Sequence, residues 1–144
     1  MLNGTPTAVK LTTIEQPTTD DTSPIVNGVL EYGLDQIGGV LPKNFAIHGK
    51  IGNELVGGAT GRQHFTQFYL DNLWVRQNFR SNGYGTIIHD SVLELAANLS
   101  CSRIQLNTLN IRAVAFYKDL GYETLATIGE YVDGFDLYYL SMSI

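Results

Sequence analysis

Two short stretches of the sequence combine residue types that could hold a phosphate and move a proton. The first, RSNGYGT starting at Arg80, follows the apolar run Gln67–Val75 and precedes an amphipathic segment. Where a strand passes into a helix, free backbone N–H groups and the positive end of the helix dipole converge on one point. Gly83 and Gly85 would let this backbone approach an anion, and the Arg80 guanidinium would add a cation. The stretch therefore predicts a pyrophosphate site or, alternatively, a tight turn without a ligand.

Other phosphate-binding motifs match the same stretch less well. No Lys-Ser or Lys-Thr pair follows the glycines, as a Walker A loop would require. Ile88 stands where the dinucleotide fingerprint needs its third glycine. A nucleotide-binding α/β domain is therefore the weaker hypothesis for this turn.

The second stretch, NIRAVAFYKDLGY, starts at Asn110, where a predicted strand ends. Asn110, Ala113 and Tyr117 are three and then four residues apart, so a helix places them on one face. A small residue between an amide and a phenol leaves room for a ligand along that face. Alternatively, Asn110 only caps the helix and Tyr117 is a core aromatic. For Phe116 the core is the favoured interpretation.

The two stretches together resemble the two signature motifs of the GNAT acyl-CoA N-acyltransferases. The matching patterns are Arg80-x-x-Gly83-x-Gly85 and Asn110-x-x-Ala113-x-x-Phe116-Tyr117-x-x-x-Gly121-Tyr122. The resemblance is close from Tyr69 to Ile144, and the order of elements before that also fits. It implies a mixed α/β GNAT fold in a single domain over residues 1–144. The expected sheet has about six to seven strands, is flanked by about four helices and splays between its strands 4 and 5.

The resemblance also implies how acetyl-CoA would bind. Its pantetheine arm would pair with the backbone around Leu73 to Val75 like an added strand. Its pyrophosphate would lie on the amides of residues 80–86, Asn110 would contact the arm, and Tyr117 would point at the thioester sulfur. The cofactor-binding residues predicted in this way are Leu73, Trp74, Val75, Arg80, Ser81, Asn82, Gly83, Tyr84, Gly85, Thr86, Asn110, Ala113, Phe116 and Tyr117.

The activity that the resemblance implies is acetyl-CoA-dependent N-acetylation of a primary amine, by direct attack in a ternary complex. Tyr117 is the predicted general acid, because a phenol with a pKa near ~10 can protonate a departing thiolate whose thiol has a pKa near ~8.5. The alternative is a catalytically idle GNAT-like domain that binds or senses CoA.

Asp71 is the candidate base, because it lies in a strand expected to be buried and an unpaired buried carboxylate has a raised pKa. Alternatively, Asp71 is paired with a donor and only fixes the register of the strand. Glu31 and Glu130 are weaker candidates, and each is more simply interpreted as a solvated surface charge. His89 is expected on the polar face of its helix, and Trp74 is expected in the core.

Residues 130–134 also resemble a stretch of a bacterial subgroup of the same family that acts on small molecules. Val132 and Phe135 replace the proline and histidine of that stretch. Any acceptor role of the histidine therefore does not extend to this chain.

Hydrophobic periodicity and turn residues predict the elements that would position these groups. A helix is expected from the Ser23-Pro24 pair to Gly38-Gly39, with further helices over about residues 86–99 and over residues 111–120. The predicted strands cover residues 8–14, 44–50, 54–60, 67–75, 103–109, 122–128 and 137–143. Strict alternation in Gln67–Val75 places Trp74 on the side of Phe68 and predicts a strand covered on both faces.

Composition limits the partners. The chain has 144 residues, a net charge of −5, one cysteine and three scattered histidines. The acidic balance argues against nucleic-acid binding, and the Cys and His counts argue against a disulfide or a metal site. No secretory signal is visible, and no apolar run reaches the ~18 residues of a membrane span. We expect a cytoplasmic protein that acts on a small-molecule or peptide amine, with a homodimer through residues 137–140 as an option.

Overall fold

The structure, a computed structural model, describes residues 8–38 and 40–144, apart from the side chains of residues 34–37. The chain divides into two compact units after residue 39, and a single domain over residues 1–144 stays a prediction. None of the described helices is both long enough and apolar enough to cross a membrane. The strand predicted at residues 8–14 is wrong, because these residues belong to no strand or helix. Strand propensity alone does not supply the neighbouring strand that a ladder needs.

Helix α1 (Thr19–Ile37) starts before the serine-proline pair that the sequence favoured. The backbone N–H of Thr18 donates to the Asp21 carboxylate at 2.8 Å, and the N–H of Asp21 donates back to the Thr18 carbonyl at 3.0 Å. This reciprocal cap fixes the earlier start, so Pro24 lies inside the helix. The helix ends as predicted at Gly38, which has a left-handed φ of 70°. The second glycine of the predicted stop, at position 39, lies outside the described residues.

The second unit is built on a six-stranded mixed sheet, which confirms the predicted α/β class. The strands are β1 (Lys43–Ile51), β2 (Glu54–His64), β3 (Gln67–Val75), β4 (Arg103–Thr108), β5 (Glu123–Val132) and β6 (Phe135–Ser143). Their order across the sheet is β1-β2-β3-β4-β6-β5. Only β3 and β4 run parallel to each other. The helices of this unit are α2 (Tyr84–Asn98) and α3 (Ile111–Asp119), and a 3-10 turn covers Gln77–Phe79.

The core lies between the sheet and α2. Phe68, Ile104 and Leu140 are the largest fully buried side chains on the strands. Val92 and Ala96 meet them from α2, which contacts strands β1 to β4. This packing fixes the start of α2 against the end of β3, where the first motif lies.

Strand β3 contains a β-bulge at Asp71. In the ladder with β2, Asn72 pairs with Thr60. Leu70 pairs with Gly61, the next residue of β2, so Asp71 has no residue opposite it. An extra residue of this kind bends the strand and reverses the alternation of side chains beyond it.

The bulge corrects the prediction for the second half of β3. Leu73 and Val75 pack against the same core as Phe68, whereas Trp74 points the other way and is 44% exposed. The expected core position of Trp74 is therefore wrong. The expected burial of both faces is wrong as well, because Asp71 is exposed.

Strands β3 and β4 separate after a short parallel ladder. The paired positions are Gln67 with Arg103, Phe68 with Ile104, and Tyr69 with Gln105. The bulge at Asp71 comes directly after this ladder. The divergence confirms the splay predicted between strands 4 and 5, which are β3 and β4 here because the first predicted strand is absent.

Candidate active site

A cavity of about 570 Å³ lies where the end of β3, the turn before α2 and helix α3 meet. Its walls bring together all but two of the predicted cofactor residues, namely Leu73, Val75, Arg80, Ser81, Gly83, Tyr84, Gly85, Thr86, Asn110, Ala113, Phe116 and Tyr117. The structure does not place Trp74 or Asn82 on these walls. It adds Phe79 and Arg112, which the sequence analysis missed.

The turn before α2 presents free backbone N–H groups to this cavity. Gly83 caps the helix with a left-handed φ of 84°, and Ser81 is also left-handed, at 63°. The first hydrogen bond of the helix runs from the N–H of Ile87 to the Gly83 carbonyl at 3.2 Å. The N–H groups of residues 84–86 therefore have no partner within the helix. This arrangement supports an anion site over a turn without a ligand.

Two arginines flank these N–H groups. The Nε of Arg80 donates to the Val75 carbonyl at 2.9 Å, which anchors the guanidinium at the cavity wall. Arg112 lies in the first turn of α3, where a cation opposes the helix dipole. A bound anion would offset that cost. An arginine just after the Asn110 cap was therefore a signal in the sequence for an anion site.

Asn82 stabilises the turn and does not face the cavity. Its Nδ2 donates to the Arg80 carbonyl at 2.9 Å and to the Phe79 carbonyl at 3.4 Å. Gly85 lies next to α3, because a Cβ at this position would be in ordinary van der Waals contact, at 3.4 Å, with the Phe116 ring. These contacts hold the conformation that leaves the N–H groups free.

Tyr117 is a buried residue whose hydroxyl reaches the cavity. Its ring is only 8% exposed, and burial raises the pKa of the phenol to about 12. Within the described part of the chain, no group forms a hydrogen bond with this hydroxyl, and no fully buried side-chain oxygen or nitrogen lacks a partner. The hydroxyl oxygen must therefore be accessible. A neutral phenol at a cavity wall can donate a proton or a hydrogen bond to a ligand.

Asn110 both caps α3 and lines the cavity. Its Oδ1 accepts a hydrogen bond from the backbone N–H of Arg112 at 2.9 Å. The capping interpretation is thus confirmed, and the cap leaves the Nδ2 atom of the same amide for other partners. Asn110 also borders a larger, mostly apolar cavity of about 680 Å³ between the start of α3 and the β5–β6 hairpin.

Asp71 is exposed and ion-paired, which corrects the expectation that it is buried. Its Oδ2 lies 3.2 Å from the Nε of Arg62, and the Arg62 guanidinium lies 4.6 Å from the centre of the Tyr69 ring. The alternative that Asp71 is paired with a side-chain donor is therefore confirmed. Its role as a base stays a prediction.

A smaller cavity of about 220 Å³ opens beside this ion pair. Tyr69, Asn107 and Tyr139 contribute to it from three different strands. Each of these residues has a neighbour in its own strand that belongs to the buried core. The smaller cavity therefore lies on the opposite face of the sheet, at the point where β3 and β4 diverge.

His89 is buried, although the sequence placed it on the polar face of its helix. The side chain is 2% exposed, and its Nε2 lies 2.8 Å from the hydroxyl oxygen of Tyr122. The segment after α3 covers this side of α2, and helical periodicity does not reveal which neighbouring element covers a polar position.

Comparison with known proteins assigns the chain to a family. The model of the acetyltransferase (GNAT) family matches residues 16–122, so the chain belongs to this family. The crystal structure of an acetyltransferase from Bacillus cereus superposes with a TM-score of 0.80 at 23% identity, covering 92% of this chain and 98% of that one. The family and the fold predicted from the two motifs are thereby confirmed.

Two curated relatives match shorter segments. Blasticidin-S acetyltransferase of Streptomyces morookaense is 30% identical over 82 residues, which is 56% of this chain and 60% of that protein. Thialysine N-epsilon-acetyltransferase of Mus musculus is 41% identical over 59 residues, which is 40% of this chain and 35% of that protein. The matches therefore span less than two thirds of these relatives.

Proposed function

We propose that this protein is an acetyl-CoA-dependent N-acetyltransferase that acts on a primary amine of a small molecule or a peptide. The observation that carries the proposal is one cavity lined both by the free N–H groups before α2 and by the Tyr117 hydroxyl. The family match and the names of both relatives support acetyl transfer, and the name of the thialysine enzyme specifies an amine acceptor.

The turn before α2 would bind the diphosphate of acetyl-CoA. Three N–H groups, of residues 84–86, and the guanidinium groups of Arg80 and Arg112 supply positive charge on one side of the cavity. The whole chain has a net charge of −5, so this positive potential is local to the cavity.

The open edge of β3 would hold the pantetheine arm. Beyond Tyr69 no residue of β3 pairs with β4. Apart from the Val75 carbonyl, which accepts a hydrogen bond from Arg80, the backbone N–H and C=O groups of residues 73–75 that point to this side are therefore available to an amide-bearing chain. Leu73 and Val75 also line the cavity, so the arm would run between their side chains and α3.

The proposed reaction needs no covalent enzyme intermediate. The amine nitrogen attacks the thioester carbonyl carbon, the C–N bond forms and the C–S bond breaks. Backbone N–H groups of β3 at the divergence would stabilise the negative charge on the carbonyl oxygen. Tyr117 would donate its proton to the departing sulfur. Desolvation raises the pKa of the Tyr117 phenol, and it would also raise the pKa of a thiol in the same cavity, which would limit the difference between the two pKa values.

The acceptor would approach from the face of the sheet that carries Asp71. The smaller cavity lies on this face at the divergence of β3 and β4, so an amine there would reach the thioester from the side opposite α2. Asp71 would take the proton that the amine nitrogen loses. Its exposed ion pair with Arg62 favours transfer through water over direct contact.

Thermal unfolding with acetyl-CoA, free CoA, ATP and NAD tests the cofactor. A ligand at about 100 times its Kd adds roughly 2.7 kcal/mol to the free energy of unfolding, which raises the Tm by several degrees. We expect this shift with both CoA species. A shift with ATP or NAD and none with CoA would contradict the proposal.

Release of free thiol from acetyl-CoA in the presence of polyamines, amino acids, aminoglycosides and peptides tests the activity. We expect at least one class of amine to accelerate the release. A CoA-dependent Tm shift without thiol release for any amine would favour the idle CoA-binding domain, for which an accessible Tyr117 hydroxyl has no use.

A further inference from the structure

A buried polar pair lies behind Tyr117 and has no part in the reaction described above. His89 is 2% exposed and Tyr122 is 3% exposed, and the His89 Nε2 lies 2.8 Å from the Tyr122 hydroxyl oxygen. Neither side chain lines the cofactor cavity. Replacing both partners of such a pair with apolar groups of the same shape is often neutral for stability. The pair therefore calls for an explanation other than filling the core.

Both members of the pair belong to elements that build the active site. His89 follows Gly85 by one helical turn, so it lies on the same face of α2, further from the anion-binding end. Tyr122 follows α3 directly, and its backbone N–H donates to the Tyr117 carbonyl at 3.0 Å. The hydrogen bond between His89 and Tyr122 thus links the helix of the anion site to the residue proposed as the acid.

The two side chains also enclose the ring of Tyr117. The Tyr117 ring centre lies 5.3 Å from that of Tyr122 and 6.4 Å from that of His89, and both contacts are edge-to-face. Phe116 closes a third side at 5.1 Å. With these neighbours in place the Tyr117 ring has little freedom to rotate or tilt, and its hydroxyl stays at the cavity wall.

We infer that His89 and Tyr122 form a positioning pair that holds the Tyr117 hydroxyl toward the sulfur that leaves in the reaction. The inference rests on the proposed function, because it needs Tyr117 as the acid. Burial favours the uncharged form of both members of the pair. Burial lowers the pKa of His89 against the opposing effect of Asp90, and burial raises the pKa of Tyr122. The pair therefore orients the acid without adding a charge beside it.

Steady-state kinetics of Tyr122→Phe, His89→Gln and His89→Leu test the inference. Tyr122→Phe keeps the ring and removes only the hydroxyl, and we expect kcat to fall about tenfold to a hundredfold, as for a small misplacement of a reacting group. The KM for acetyl-CoA should change by less than about twofold, because ground-state binding is left intact. His89→Gln should keep more activity than His89→Leu, because a glutamine Nε2 can still meet the Tyr122 hydroxyl.

Ser141→Ala is the matched control. Ser141 is 2% exposed and its hydroxyl accepts a hydrogen bond from Arg103, away from the cavity. Like Tyr122→Phe, this variant loses a buried hydroxyl. It should therefore lower the Tm by a similar amount, and it should leave kcat unchanged. The inference would be overturned if kcat fell together with Tm in Ser141→Ala to the same extent as in Tyr122→Phe.

A double variant separates this inference from the function on which it rests. If Tyr122 acts through Tyr117, adding Tyr122→Phe to Tyr117→Phe should lower kcat no further. A full additional loss in the double variant would overturn the positioning role. A lowered kcat in Tyr117→Phe together with an unchanged kcat in Tyr122→Phe and His89→Leu would also overturn the positioning role. The acid role of Tyr117 would then still stand. An unchanged kcat in Tyr117→Phe would instead overturn the acid role itself.

Discussion

The cavity wall has two parts that hold their functional groups in different ways. The turn from Arg80 to Thr86 offers main-chain N–H groups, which a left-handed Gly83 and the start of α2 leave free. The part around Tyr117 offers a buried side chain, which residues from α2 and from the segment after α3 hold in place. Local conformation determines the first part and tertiary packing determines the second. We therefore expect changes in the turn to weaken acetyl-CoA binding, and changes around Tyr117 to slow turnover.

The largest effect is expected for Tyr117→Phe, which removes the proposed acid and keeps the ring. General acid catalysis contributes about 10²–10⁴-fold, so kcat should fall by at least about a hundredfold while the KM for acetyl-CoA stays nearly constant. A thiol-release assay measures both constants. Tyr131→Phe, at a residue that is 58% exposed on β5, is the control and should behave like the wild type. A Tyr117→Phe variant with a raised KM for acetyl-CoA and an unchanged kcat would contradict this prediction. Tyr117 would then contribute to acetyl-CoA binding and not to turnover.

In the turn before α2, the substitution Gly83→Ala should change the KM for acetyl-CoA and not kcat, which is the opposite of the effect expected for Tyr117→Phe. A residue with a Cβ at φ 84° costs roughly 1–2 kcal/mol, so the turn should shift and the KM for acetyl-CoA should rise about tenfold, with kcat preserved. Gly134→Ala is the matched control, because Gly134 has a φ of 81° in the β5–β6 hairpin. Both variants should lose similar stability in thermal unfolding. Equal KM values for the two would show that the free N–H groups do not bind the cofactor.

A smaller effect is expected for Arg112→Gln, which removes one cation beside the turn. The KM for acetyl-CoA should rise about threefold to tenfold at low salt, and the difference from the wild type should shrink as salt screens the charge. Lys118→Gln removes a cation from the last turn of the same helix, which is not part of the cavity wall, and serves as the control. A KM that rises equally in both variants would indicate a general charge effect.

The same division explains which features the sequence could predict. The glycine turn and the Asn110 cap have signals within a few residues, and both lie where the motifs indicated. The bulge at Asp71 could not be predicted, because it is defined by the register of β3 against β2. The burial of His89 depends on the segment after α3, more than thirty residues away along the chain. Residues whose surroundings come from distant elements were therefore the ones placed wrongly.

The smallest expected effect concerns stability, and it tests whether His89 is as buried as the geometry indicates. Burial lowers the pKa of His89 below its usual value of 6.5, so the unfolded chain takes up a proton at a pH where the folded protein does not. The free energy of unfolding should therefore fall as the pH drops below about 6.5. Tm values of the wild type and His89→Gln between pH 7.5 and pH 5 measure the effect, and the slopes are compared because the variant also changes the absolute Tm. The slope of the wild type should be the steeper one. Parallel slopes would mean that His89 ionises as freely in the fold as in the unfolded chain, and a freely ionising His89 could not keep the Tyr117 surroundings uncharged.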